Sequence, residues 1–326
     1  MDIFFVLSGF LITSLLIQEF DRTGAISLRK FYMRRVLRLL PALAAMLIVF
    51  CIVSISIFNV QRANANLADA LYSFLYISNW TRIFEVSIPD LFGHTWSLSI
   101  EEQFYIVWPI ILLGLLTLSK NRWHIVIAAA VVALTSWGLR VYLALHGVSS
   151  ERLYFGLDTR ADALMAGCVI GVIYSSGLIR NAAATWIPKW MTIVAPLSAV
   201  LLLGFALTAN LKSPSMYYWG FVAVELLAAL LVLSILLTQR NATRRILSMR
   251  WLVWVGSISY GLYLWHLPIY KTIFFYGHGG KANITVGTLA TFFIASCSYY
   301  FMEKPILKLK SRFTSNTSNP PPPTLR

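Results

Sequence analysis

From Leu39 to Phe58 the chain runs twenty residues without a charged side chain, and comparable stretches recur almost to its end. At 1.5 Å of helical rise per residue such a run matches the roughly 30 Å hydrocarbon core of a bilayer. The same reading applies to Trp96–Leu118, Trp123–Leu145, Leu153–Tyr174, Thr192–Ala209, Met216–Leu237, Trp251–Phe275 and Ile284–Met302, with a shorter apolar run over Ile3–Ile17. Nine spans are expected. Composition agrees: 58% of the 326 residues are hydrophobic and 12% are charged, against about 25% charged in soluble domains, and the mean hydropathy is +0.70. The expected class is an all-α, polytopic membrane protein. Residues 1–311 form the transmembrane domain, and residues 312–326, with four consecutive prolines, form a disordered tail.

The net charge of +14 is a topology signal. Of 27 Lys and Arg residues, 19 fall in one alternate set of loops, five in the other and three inside spans. By the positive-inside rule the basic segment Gln18–Arg38 and the tail are cytoplasmic, and residues 59–95 lie outside without crossing. Leu67–Trp80 is expected to lie along the interface. This accounts for the charge without nucleic acid as a partner. Cys51, Cys168 and Cys297 sit in apolar runs and read as buried small side chains; no metal-ligand spacing is present. Met1-Asp2 opens directly on an apolar run, without the basic segment of a signal peptide.

Against this background the ionisable residues inside spans stand out, because charge in a bilayer is costly and usually functional. Glu101 and Glu102 lie in the first third of a run opened by His94-Thr95-Trp96-Ser97-Leu98-Ser99-Ile100 and point about 100° apart on a helix. A helix start favoured by the macrodipole would also place glutamates there. Asp158, Arg160 and Asp162 are spaced so that both carboxylates share one helical face; Arg160 points elsewhere and needs a partner, which Asp2, Glu101 or Glu102 can supply. His266 lies mid-span after Ser259-Tyr260-Gly261-Leu262-Tyr263, either as a functional imidazole or as a packing residue. Glu225 stands alone in its run. Arg140 and Lys271 are expected to snorkel, and Trp96, Trp108, Trp137, Trp251 and Trp265 to form aromatic belts. Arg35 and Arg38, three apart, share a helix face beside Arg34; guanidinium forks in this position suit phosphate, and topology alone also favours basic residues here.

Six stretches, in order, resemble the acyltransferase 3 family of bacterial integral membrane O-acyltransferases: Asp2–Ile12, Phe31–Pro41, His94–Tyr105, Leu157–Leu164, Ser257–His266 and Glu303-Lys304-Pro305. The resemblance implies an inner-membrane enzyme that moves an acyl group, most simply acetyl, from a cytoplasmic acyl-CoA to a hydroxyl of a cell-envelope or secreted carbohydrate, without a metal. It implies that Arg35-x-x-Arg38, with Arg34, binds the acyl-CoA, and makes Glu101, Glu102, His266, Arg160 and Asp158 the catalytic candidates. It also implies a further helix ahead of Asp2 that bears an Arg and the family's base histidine. With it, ten spans and an active protein are expected; without it, little acyl transfer. Intramembrane charges would equally suit a transporter or flippase for a small anionic or glycan substrate, although no repeat relates the two halves of the chain, and a non-catalytic scaffold is the third reading.

Overall fold

The computed structural model describes residues 1–87, 90–177, 191–211, 213–238, 242–276 and 281–309. The tail from 312 and the basic residues Arg180 and Lys189 lie outside them. Every regular element among the described residues is a helix, with no strand among them. Seven helices among them are long and apolar enough to cross a membrane. Two expected spans are not in that set. Ala161–Ser175 is only 15 residues long, because the chain turns at residues 156–160 where an unbroken span was expected. Arg250–Tyr276 has the length, 27 residues, but carries Ser, Tyr, Trp, His and Lys side chains along it.

The chain divides into two compact units, Met1–Ile26 with Phe50–Ser257, and Ser27–Val49 with Ile258–Arg326. In the first unit, helix α1 (Asp2–Thr23) packs against α8 (Ala161–Ser175). Glycine decides how closely. A Cβ on Gly9 would strike the carbonyl oxygen of Leu164, and one on Gly167 would strike that of Val6. The two backbones therefore touch, as small residues allow between membrane helices. α5 (Trp96–Leu118), α6 (Trp123–Leu145) and α10 (Phe221–Leu237) complete the surroundings of α1 and α8. Trp108 donates its indole N–H to the Thr13 hydroxyl at 2.8 Å, tying α5 to α1. Ahead of α5 run two shorter helices, α3 (Val60–Phe74), capped by the Asn59 side chain, and α4 (Ser78–Ile83).

In the second unit the basic segment is helical rather than a loop: α2 (Leu28–Ile57) has 30 residues, about 45 Å, more than a bilayer core requires. Its Arg residues therefore occupy the helix's first turns. Pro41 sits well inside this helix and removes the bond to the carbonyl four residues earlier. The Tyr260 hydroxyl donates to the Leu39 carbonyl at 2.9 Å, and Gly261 lets Ala295 approach closely. The three motifs carried here, Phe31–Pro41, most of Ser257–His266 and Glu303–Pro305, thus share one unit, and the other three share the first.

Candidate active site

A charged cluster fills the interior of the first unit. Asp2 at the head of α1 pairs with Arg160, the residue that precedes α8. The Arg160 side chain is fully buried, its guanidinium carbon 3.8 Å from the centre of the Phe221 ring and 5.6 Å from that of Tyr154. Its Nε and Nη1 have no hydrogen-bond partner among the described residues. Arg140, expected to snorkel, is instead fully buried in α6. Its Nη1 lies 2.6 Å from Asp162 Oδ2 and donates to the Thr159 carbonyl at 2.6 Å, and its Nε donates to the Tyr217 carbonyl at 3.1 Å. That last acceptor comes from a π-helical turn, Met216–Gly220, where the changed register of backbone bonding presents carbonyls to side chains. The Tyr218 carbonyl, in the same turn, accepts from Trp137 at 2.7 Å.

Glu225 is not alone. It is buried in α10, within electrostatic reach of Asp162 and of both guanidinium groups. Each guanidinium is paired with a carboxylate, Arg140 with Asp162 and Arg160 with Asp2, which is how such a cluster tolerates a low-dielectric interior. The helices α1, α6, α8 and α10 each contribute, so the cluster forms only when all four assemble.

Glu101 lies beside α1, where its Oε2 accepts from the Ser8 hydroxyl at 3.2 Å and the Tyr105 hydroxyl at 2.9 Å. Glu102 is half-buried on a different side of the helix. Asp158 does not share a helical face with Asp162. Residues 156–160 form a turn, Thr159 closes it with bonds to the carbonyls of Leu153 (3.0 Å) and Gly156 (3.1 Å), and Asp158 makes a two-pronged pair with Arg152. Trp96, Trp108 and Trp265 are buried rather than belt residues, while Trp251 is exposed.

In the second unit, Arg34 and Arg35 are half-buried and Arg38 is exposed on α2. Arg38 acts electrostatically on Glu303, a buried carboxylate at the end of a second π-helical turn, Ser298–Glu303, which also accepts from Ser298 at 3.0 Å. His266 places Nδ1 2.6 Å from the Tyr263 carbonyl. A carbonyl only accepts, so Nδ1 carries the proton and a neutral ring keeps its lone pair on Nε2. Arg140, Glu225 and Glu303 are not among the site candidates that the sequence singles out. The first two carried the signal of charge within an apolar run; Glu303 carried only its place in a motif.

No solved structure matches the chain. It is 34% identical to the peptidoglycan O-acetyltransferase OatA of Listeria monocytogenes over 94% of its length and 51% of the relative's. A putative peptidoglycan O-acetyltransferase of Bacillus subtilis (94% and 50%) and a putative O-acetyltransferase of Staphylococcus aureus (94% and 52%) are each 32% identical to it. The chain spans about half the length of these curated relatives. The family model described as an acyltransferase domain matches residues 1–303, so the chain belongs to that family of acyltransferases.

Proposed function

We propose that this protein is a bacterial inner-membrane O-acetyltransferase, with its C-terminus cytoplasmic, that moves acetyl from acetyl-CoA to a hydroxyl of a cell-envelope glycan. The observation that carries the reading is Arg160: a fully buried guanidinium with two N–H-bearing nitrogens, Nε and Nη1, not hydrogen-bonded among the described residues, inside the unit that holds three family motifs. In acyl transfer the acceptor oxygen attacks the thioester carbonyl, the carbonyl oxygen gains negative charge, the carbon–sulfur bond breaks and the thiol leaves with the acceptor's proton. Preorganised donors at the developing oxyanion are usually the largest contribution to such catalysis. Arg160, held by Asp2 and the Arg140–Asp162–Glu225 group, is proposed as that donor. Glu101 is proposed to orient the acceptor hydroxyl, with Glu102 beside it; in the second unit His266 is proposed as a functional imidazole. Arg34, Arg35 and Arg38 are proposed to grip the donor's phosphates, with Glu303 orienting Arg38. Asp158 is proposed to act through Arg152.

The test is transfer of labelled acetyl from acetyl-CoA to a peptidoglycan-derived glycan by the full gene product in proteoliposomes. Arg160→Lys keeps the charge and loses the fork. It is expected to lower kcat by about 100- to 1,000-fold. Unchanged turnover in Arg160→Lys would remove the guanidinium from the mechanism. Movement of the glycan across the membrane without acetylation would favour a transporter.

A further inference from the structure

We propose that Trp80, Phe84, Arg82, Glu151, Arg152 and Asp158 form a binding surface for a pyranoside ring of the acceptor glycan, an assignment that rests on the carbohydrate-acceptor reading above. Helix α4, which carries Trp80, is bracketed by the positive φ angles of two non-glycine residues, Tyr76 at 55° and Glu85 at 54°. Side chains pay a steric penalty there, and such strain persists where the surroundings impose it. Gln103, the residue after the Glu101–Glu102 pair, holds the first of the two, at Tyr76. Its amide donates to the Tyr76 carbonyl at 2.7 Å and to Asn79 at 2.9 Å, and its oxygen accepts from the Trp80 indole at 3.2 Å. Asn79 in turn donates to the Phe155 carbonyl at 3.3 Å.

What this scaffold displays is an aromatic stack with charges around it. Trp80 and Phe84 lie nearly parallel, with planes 19° apart and centroids 6.0 Å apart, and Phe84 is 69% exposed. Arg152 lies 5.8 Å from the Trp80 ring and forks onto Asp158; Arg82 lies 4.0 Å from the Phe155 ring and 3.8 Å from Glu151. The turn that sets Asp158 has Gly156 at its base, where a Cβ would run into Arg152, Asp158 and Thr159.

A sugar ring offers an apolar C–H face and a rim of hydroxyls that both donate and accept. An exposed aromatic face meets the first. Two guanidiniums and two carboxylates, all partly exposed, meet the second. A patch built to anchor in anionic lipid would instead collect basic residues alone. The surface also adjoins the buried cluster: Tyr154 and Phe155 both lie 5.0 Å from Trp96, and Tyr154 lies beside Arg160.

The test is equilibrium binding of a β-1,4-linked N-acetylglucosamine tetramer to the full gene product in nanodiscs, with acetyl transfer measured in parallel. The wild type is expected to bind. Phe84→Ala is expected to weaken binding about three- to tenfold and to raise the acceptor KM in proportion, with the donor KM unmoved, whereas Phe84→Trp retains both. Arg152→Lys, which breaks the fork onto Asp158, is expected to weaken binding as well. Tetramer binding and acceptor KM that are unmoved in Phe84→Ala and Arg152→Lys, with acetyl transfer intact, would overturn the site and leave the acetyltransferase reading standing. Absence of acetyl transfer to any glycan by the wild type would overturn that reading instead. A dye on Phe84→Cys that reports immersion in lipid and ignores the tetramer would make the patch a membrane anchor and end the proposal.

Discussion

Arg140 and Arg160 are both sealed from solvent, yet they are satisfied differently. Arg140 has a carboxylate and two carbonyls, whereas Arg160 has one carboxylate and an aromatic face. A structural ion pair and a functional donor are expected to respond differently to substitution. Asp162→Asn removes the carboxylate paired directly with the buried Arg140 guanidinium and is expected to cost about 3–5 kcal/mol. Replacing Arg140 and Asp162 together by Met and Leu is expected to cost much less than the sum of the single changes, which thermal unfolding of the four proteins in detergent measures. Equal and additive losses would mean that the two do not interact. A smaller effect belongs to Glu85. With φ at 54°, its change to Gly relieves a penalty of about 1–2 kcal/mol, and the protein is expected to melt later by the same assay. At this scale the site is only partly legible in the sequence. Arg160 and Glu101 stood out because a charge in an apolar run announces itself. Arg140 did not, because closeness to the end of a run says nothing about which side of a helix faces the interior. Asp158 was misplaced because helical phase was extended across a turn whose determinant, Gly156, looks like any other glycine.

Close contact of α1 and α8 makes its own demand on the sequence. Ala at Gly9 or Gly167 would drive a methyl into a backbone carbonyl, which cannot swing aside. Either change is expected to separate the helices and to destabilise the protein by more than 3 kcal/mol, within the range that marks a named structural failure. Gly114→Ala is the control: nothing lies within 4 Å of its added methyl, it sits inside α5, and it is expected to be neutral or stabilising by about 1 kcal/mol. Limited proteolysis with temperature separates these outcomes. Helix α3, outside the candidate spans, gives a pH-dependent prediction. Burial pushes the Asp69 carboxyl above its usual range, only partly offset by the Ser87 hydroxyl that bonds it. A carboxyl raised in the folded state favours the fold below its ordinary pKa, and that contribution is lost as pH climbs through the raised value. Asp69→Asn is therefore expected to flatten the fall in stability with rising pH across that window, read as melting temperature against pH. An unchanged slope would assign the pH dependence elsewhere. The spans were legible as elements because hydropathy is a local property. The two π-helical turns were not, since the Arg140–Tyr217 bond joins residues 77 apart and nothing in Met216–Gly220 announces its register.

Across the molecule, the motifs divide between two units, three in each, so neither unit carries the family's full set. Sequence order shows the six stretches but not this division, because α2 and α12 (Arg250–Tyr276) each pass from one unit to the other along a continuous helix. What does extend over the entire chain is the distribution of charge, 19 basic residues against five in alternate loops. That bias predicts an orientation in which residues 18–38 face the cytoplasm and residues 59–95 do not. Two exposed positions test it. Ala25 lies between α1 and α2, and Val86 lies in the segment after α4 and is 62% exposed. In intact spheroplasts a membrane-impermeant maleimide is expected to label Val86→Cys and to reach Ala25→Cys only after lysis. Replacing Cys51, Cys168 and Cys297 by Ala first removes the background. Labelling of Ala25→Cys before lysis, with Val86→Cys protected, would invert the orientation. It would also place Arg34, Arg35 and Arg38 on the side of the membrane away from a cytoplasmic acyl-CoA, so a single labelling experiment bears on both the topology and the proposed donor site.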